Sequence, residues 1–214
     1  MIKIAQLFKN SFEGICHQLL VQGYRVIRTS GSCDKNWGEE NISAHFADRM
    51  QKLPLAIKEQ INVQYEVRIY TQGIINKGIT AKSASRIDIY FYKTPWANPD
   101  YGNGYCIEAK NVSQTNRPNN ASKQKTEYIT KGINEFVQGN YPKGCMIAYV
   151  VQGKTAIIIN DINDRIQKKT TCPSIVGVIN KTKPILGFTE VYNSKCVTPS
   201  APKGVLKHFF FDLT

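Results

Sequence analysis

The chain has 214 residues, enough for one hydrophobic core of moderate size, and 42% of them are hydrophobic, which excludes an intrinsically disordered chain and a collagen-like repeat. Its 28 Lys and Arg against 16 Asp and Glu give a formal charge of +12, which favours polyanionic partners, nucleic acid before an anionic membrane surface. No apolar run reaches the roughly 18 residues that a membrane span needs, and charged side chains interrupt the start, where a signal peptide would be apolar. We therefore expect a cytoplasmic protein without membrane association.

Cysteine and histidine do not form recognisable motifs. The chain has six cysteines with no Cys-x-x-Cys pair, and several lie within apolar runs. We expect reduced, mostly buried thiols rather than a disulfide framework or a zinc knuckle. The three histidines, His17, His45 and His208, are scattered along the chain, and we expect structural roles for them.

Helical periodicity predicts two helices in the first part of the chain. The first covers residues 3–22 and ends near Gly23, and a short segment at 24–28 and a loop at 30–36 follow it. The second begins near Glu39 and ends before Pro54, with apolar side chains recurring on one face.

The hydrophobic pattern then changes to the period of two that is typical of strands. Residues 62–70 and 86–93 alternate, turn formers fill 94–104, and 105–112 alternates again, which predicts a hairpin with a long tip. A third helix follows the polar loop 113–122 and ends near Gly139, and the apolar run 145–151 predicts a strand buried on both faces. Residues 157–166 fit a strand end or a helix, and short strands are expected near 175–179, 185–192 and 205–213.

Charged side chains interrupt the two strands of this hairpin. Asp88 lies in the first, and Glu108 and Lys110 share one face of the second because side chains alternate. If the two strands pair across the loop, the numbers of two paired residues sum to about 197. Only an even sum, 196 or 198, brings all three side chains to one face. Two neighbouring carboxylates repel unless a hard divalent cation lies between them. The pattern therefore favours a Mg²⁺ site at which Lys110 orients water or offsets charge on a phosphate.

In these residues the chain resembles the PD-(D/E)xK nuclease superfamily, which includes restriction endonucleases, Holliday-junction resolvases and recombination exonucleases. The resemblance covers about residues 39–151 and rests on Asp88 and on the sequence from Glu108 to Lys110. It implies that Asp88 and Glu108 bind Mg²⁺, for which Mn²⁺ can substitute, and that Lys110 is catalytic.

The family often has a further acid on the helix before the hairpin. Glu39 fits this pattern, and Glu40, about 100° away around the helix, is the alternative. The literal dipeptide Pro99-Asp100 is not taken as the motif's first acid, because it lies at the hairpin tip, about eight residues of roughly 3.3 Å each from Glu108.

Residues after the hairpin are candidates for binding nucleic acid. Some exonuclease-like members of the family carry Gln-x-x-x-Tyr on the next helix, and Gln124 to Tyr128 matches that spacing. We also expect phosphate contacts from basic side chains in this part of the chain. These are Lys123, Lys125 and Lys131.

Together these observations predict one α/β domain over residues 1–214, with a motif core at about 39–151 and a basic extension at 152–214 of the same domain. The resemblance implies a restriction endonuclease-like αβα sandwich around a mixed β-sheet whose central hairpin carries the active site. It also implies a Mg²⁺-dependent nuclease, of DNA rather than RNA, that functions in phage defence or DNA repair. We expect a homodimer or a regulatory protein partner, because an ungated nuclease endangers its own cell. The alternative is a non-catalytic nucleic-acid-binding or assembly module that retains the fold, with a plain cross-strand salt bridge at the hairpin.

Overall fold

A seven-stranded mixed β-sheet organises the computed structural model, which describes residues 2–68, 86–93, 104–118, 120–141, 143–168, 177–196 and 204–214. The strand order is β1-β2-β3-β4-β7-β6-β5. Strands β3, β4 and β7 run parallel to one another, and every other neighbouring pair is antiparallel. The strands are β1 (Asn62–Arg68), β2 (Arg86–Tyr92), β3 (Gly104–Ser113), β4 (Gly144–Gln152), β5 (Asn180–Lys181), β6 (Val191–Cys196) and β7 (Gly204–Asp212).

Helices cover both faces of this sheet. Before the sheet the chain forms α1 (Ile2–Ser30), α2 (Glu39–Gln51) and α3 (Pro54–Lys58). Between β3 and β4 it forms α4 (Ala121–Glu127), a π-helical segment (Tyr128–Ile133) and α5 (Asn134–Val137), which follow one another directly. The helix after β4 is α6 (Thr155–Gln167). None of the helices in the described ranges is long and apolar enough to cross a membrane.

Two hydrophobic cores lie on opposite faces of the sheet, because consecutive side chains of its central strands alternate between them. The first core contains Tyr105, Ile107 and Ala109 of β3, packed with side chains of α1, α2 and α3. The second contains Cys106 of β3 and Met146 of β4, packed with side chains of the π-helical segment, α5 and α6. The central strands are therefore buried on both sides, and the domain is a layered α/β structure.

The hairpin register has one of the even sums of paired residue numbers that bring Asp88, Glu108 and Lys110 to one face. The β2–β3 ladder pairs Ile89 with Ile107 and Tyr92 with Gly104, so that paired positions sum to 196. The α/β class, the helix that begins at Glu39 and the buried strand around 145–151 are also confirmed. The predicted hairpin tip, including Pro99 and Asp100, lies outside the described residues.

Other predictions were wrong or undecided, and the structure corrects them. The first helix continues through Tyr24–Arg28 to Ser30 rather than ending near Gly23, since Ile27 still packs into the first core. Residues 157–166 belong to a helix. The predicted strand at 185–192 is mostly an irregular connection with one isolated bridge, and β6 begins only at Val191. In the predicted strand 175–179, residues 177–179 form no strand, and 175 and 176 lie outside the described residues.

Candidate active site at the fork between two strands

The β2 and β3 strands separate immediately beyond their last backbone pair, Ile89 with Ile107, and this fork contains the charged residues of the hairpin. Asp88 is the next residue of β2 toward the fork. Its Oδ2 accepts a hydrogen bond of 2.8 Å from the backbone N–H of Ala109 on β3. A side-chain carboxylate thus replaces the backbone carbonyl at this point of the ladder, which fixes Asp88 beside Glu108.

Lys110 lies at the centre of the fork. Its Nζ donates to Oε1 of Glu108 at 2.6 Å, to the carbonyl oxygen of Ala109 at 2.7 Å and to Oε1 of Glu39 at 2.9 Å. Oδ2 of Asp88 is 3.9 Å from the same nitrogen. Four oxygen atoms thus surround one ammonium group, and we call Glu39, Asp88, Glu108 and Lys110 the carboxylate cluster.

Glu39 reaches the cluster from the first turn of α2. Besides Lys110, its carboxylate accepts a hydrogen bond of 3.0 Å from the backbone N–H of Asn111, and the Asn111 side chain donates to the carbonyl of Trp37 at 3.2 Å. Glu40 points away and pairs with Arg86 at 2.8 Å on the surface. Of the two candidate helix acids, the structure therefore brings Glu39 and not Glu40 to Asp88 and Glu108.

Tyr141 completes the surroundings of Glu108, although the sequence analysis gave it no role. Its hydroxyl oxygen is 3.0 Å from Oε2 of Glu108 and 2.6 Å from the backbone carbonyl oxygen of Arg86, so its single proton is shared between two acceptors. Tyr141 lies in a turn after α5, where no hydrophobic period or motif marks it. Asn111, by contrast, was detectable as a polar residue that directly follows Lys110 within a buried strand.

Burial and charge both act on the ionisable groups of the cluster. Burial raises the pKa of Asp88 to about 6, against the opposing effects of Lys110 and the Ala109 amide. Burial also raises the pKa of Glu108 to about 8, and the neighbouring Asp88 charge acts in the same direction. Burial lowers the pKa of Lys110, but the three carboxylates outweigh it and hold that pKa above its usual value.

The donor atoms of the cluster suit a hard divalent cation. They are carboxylate and carbonyl oxygens, the ligands that Mg²⁺ and Mn²⁺ prefer. Among the described residues, no group of three or more His, Cys, Asp or Glu side chains has the arrangement of a metal site, and the carboxylates here surround Lys110 instead. Asp88 and Glu108 nevertheless fit Mg²⁺ in chemistry, since three acids share one buried ammonium and carry surplus negative charge.

The residues predicted to bind nucleic acid do not all reach the surface. Tyr128 is fully buried and its hydroxyl is 2.8 Å from Nδ1 of His208, so a contact with nucleic acid is wrong for this side chain. Lys125 is 4% exposed and pairs with Asp161 at 2.5 Å, which removes it from the expected phosphate contacts.

The predicted contacts of Gln124, Lys123 and Lys131 with nucleic acid remain predictions. Gln124 is half-buried and accepts a hydrogen bond from the Ser113 hydroxyl at the end of β3. Lys123 and Lys131 are exposed, and Lys131 also pairs with Glu127. Of the three predicted lysines, Lys123 and Lys131 have the exposed side chains that a contact with a phosphate backbone needs.

No protein-family model matches the chain, and searches of curated proteins and of solved structures find no match either.

Proposed function

We propose that this protein is a Mg²⁺-dependent nuclease of the PD-(D/E)xK type, with a restriction endonuclease-like fold. The observation that carries the proposal is the meeting of Asp88, Glu108 and Lys110 at one fork, together with Glu39 from α2. The sequence separates these residues by up to 71 positions, yet their polar atoms converge on a single point. The mixed sheet with helices on both faces is compatible with that fold.

The chemistry assigned to each residue follows from its position. Asp88 and Glu108 would hold Mg²⁺, which when bound supplies a polarised phosphate and a water of lowered pKa. Lys110 then directs its ammonium group at the reacting phosphate and offsets the negative charge that develops there. Glu39 keeps Lys110 pointed into the fork through their 2.9 Å contact.

The charge of the chain supports a nucleic acid as the substrate. Lys and Arg exceed Asp and Glu by 12, and the exposed Lys123 belongs to the helix that follows β3. Exposed lysines contribute sequence-independent affinity for a phosphate backbone. We propose DNA as the substrate, the cytoplasm as the location, and gating by dimerisation or a regulatory partner.

The test is a cleavage assay of the purified protein on linear, circular and single-stranded DNA and on RNA, with Mg²⁺, Mn²⁺ or EDTA. We expect metal-dependent cleavage that falls by about 10²-fold or more in Asp88→Ala and Lys110→Ala, because each loses a group that acts on the reacting phosphate. The matched control is Lys52→Ala, which removes an exposed lysine that pairs with Asp48 near the end of α2. Cleavage by Lys110→Ala at the wild-type rate would contradict the assignment.

A second candidate is a non-catalytic nucleic-acid-binding or assembly module, and the ion pairs of Lys110 favour it. Lys110 contacts Glu108 and Glu39 directly, as expected of a buried structural salt bridge. In that case no metal promotes cleavage of any substrate, and Lys110→Ala loses stability because it leaves buried carboxylates unpaired. The metal dependence of cleavage separates the two candidates, and thermal unfolding of the same variants shows how much stability each variant has lost.

A further inference from the structure

Tyr141 is held in one orientation beside the fork. Its side chain is 3% exposed and packs edge-on against Phe136 of α5, with ring centroids 5.3 Å apart and an interplanar angle of 78°. The ring therefore belongs to the second core, while its hydroxyl reaches the polar atoms between β2 and β3.

The hydroxyl contacts both strands of the fork at once. On β2 its oxygen is 2.6 Å from the backbone carbonyl oxygen of Arg86, two residues before Asp88, and on β3 it is 3.0 Å from Oε2 of Glu108, so its one proton is shared between these two acceptors. The other oxygen of Glu108, Oε1, faces Lys110. With Oε2 held, rotation of the Glu108 carboxylate is restricted, and Oε1 stays directed toward the Lys110 ammonium, which Glu39 and Asp88 also face.

We infer that Tyr141 is a positioning residue that orients Glu108 for binding a divalent cation. The inference rests on the proposed function and deepens it, because it names the side chain that fixes the orientation of the Glu108 carboxylate. Groups that orient a metal ligand through a hydrogen bond typically change affinity for the metal by about 10- to 100-fold when they are removed. Tyr141 acts through Glu108 and is not itself a ligand.

The test compares Tyr141→Phe with Tyr105→Phe. Both changes remove one buried hydroxyl and keep the ring. The Tyr105 hydroxyl is 2.7 Å from Nε2 of His17, and this side chain lies in the first core, away from the carboxylate cluster. Titration calorimetry with Mn²⁺ alone, without nucleic acid, should show affinity about tenfold or more weaker in Tyr141→Phe and near wild type in Tyr105→Phe.

A second readout separates positioning from a general structural effect. In the cleavage assay, Tyr141→Phe should need about tenfold or more Mn²⁺ for its half-maximal rate and should approach the wild-type rate at saturating Mn²⁺. A variant that is merely less folded would instead have a lower plateau at an unchanged half-maximal concentration, and that result would overturn the inference.

The outcomes also distinguish this inference from the proposed function. Wild-type affinity for Mn²⁺ in Tyr141→Phe overturns the role of Tyr141 and leaves the nuclease intact. A wild-type protein that binds no Mn²⁺ and cleaves nothing overturns both.

Discussion

Lys110 occupies a position that a metal ion would also favour. Its ammonium lies between 2.6 and 2.9 Å from three oxygens, from Glu108, Ala109 and Glu39, with Asp88 slightly farther away. Both an ammonium and a divalent cation neutralise the surplus carboxylate charge. Because they draw on the same oxygens, they would compete, and metal binding at the proposed site would require Lys110 to turn away from Glu108.

This competition predicts that Lys110→Met binds metal more tightly than the wild type while losing cleavage. Removing the ammonium releases Oε1 of Glu108 and leaves the three acids without their internal counter-ion. We expect the dissociation constant for Mn²⁺ to fall by about tenfold, or about 1.4 kcal/mol, by calorimetry without nucleic acid. Lys52→Met is the matched control, and equal or weaker affinity in Lys110→Met would contradict the competition.

The π-helical segment packs against the sheet beside Lys110 of the cluster. A Cβ on Gly132 would overlap Cε of Met146 on β4 and would lie 3.8 Å from Cγ of Lys110. The absence of a side chain there lets the helix lie directly on β3 and β4. Since a π-helical turn adds a residue to the helical repeat, it also shifts which side chains face the sheet afterwards.

We expect Gly132→Ala to lower the free energy of unfolding by about 1 kcal/mol or more, because overpacking outweighs the gain in helix propensity. Met146→Leu removes the overlapping Cε, so the double variant should recover much of the loss. Urea unfolding of both single variants and the double variant measures this coupling. Gly14→Ala in α1, where nothing lies within 4 Å of the added Cβ, is the control and should be neutral or stabilising. Strictly additive effects would show that Gly132 does not pack as described.

Features that depend on residues close together in the chain could be predicted from the sequence, and features that depend on contacts between distant segments could not. The period of two was sufficient to place Glu108 and Lys110 together, and the parity of the hairpin register brought Asp88 to them. The nucleic-acid role of Tyr128 was inferred from the Gln-x-x-x-Tyr spacing, and a spacing match does not show whether the side chain is buried in the core. Tyr141 could not be found, since its place depends on how a turn packs against strands that precede it by more than 30 residues.

At the scale of the whole molecule, each core contains one buried histidine that stays neutral. His17 lies beside Tyr105 on the first face. His208 lies on the second, where its two nitrogens are 2.8 Å from the hydroxyls of Tyr128 and Ser194. Burial lowers the pKa of each to about 3, and nearby lysines add to the effect.

These histidines predict a loss of stability in mild acid. A folded pKa of about 3 lies below the ordinary value of about 6.5, so the unfolded chain takes up the proton first and stability falls as the pH drops below 6.5. The raised pKa values of Asp88 and Glu108 act with the opposite sign, lowering stability as the pH rises through the window from about 4 to about 8. Comparing the wild type with a variant that lacks one histidine separates the effect of that histidine on stability from the effects of the two carboxyl groups.

We therefore expect His208→Gln to lose about 2 kcal/mol less than the wild type between pH 7.5 and pH 5.0, because its share of the proton uptake is gone. Urea unfolding of the wild type and of His208→Gln at the two pH values gives this difference. An unchanged pH dependence in His208→Gln would mean that the folded protein protonates His208 as readily as the unfolded chain does.

The carboxylate cluster and the neighbouring Tyr141 come from separate parts of the architecture: Glu39 from the layer on one face, Asp88, Glu108 and Lys110 from the sheet, and Tyr141 from the segment after the helices of the other face. An ion held by Asp88 and Glu108 would join β2 to β3 where the two strands separate. It would bind the folded chain and not the unfolded one, so by mass action an ion at 100 times its dissociation constant would add about 2.7 kcal/mol to the free energy of unfolding. Cleavage and stability would thus depend on the same few oxygen atoms, and removal of the metal would lower the free energy of unfolding as well as stop cleavage.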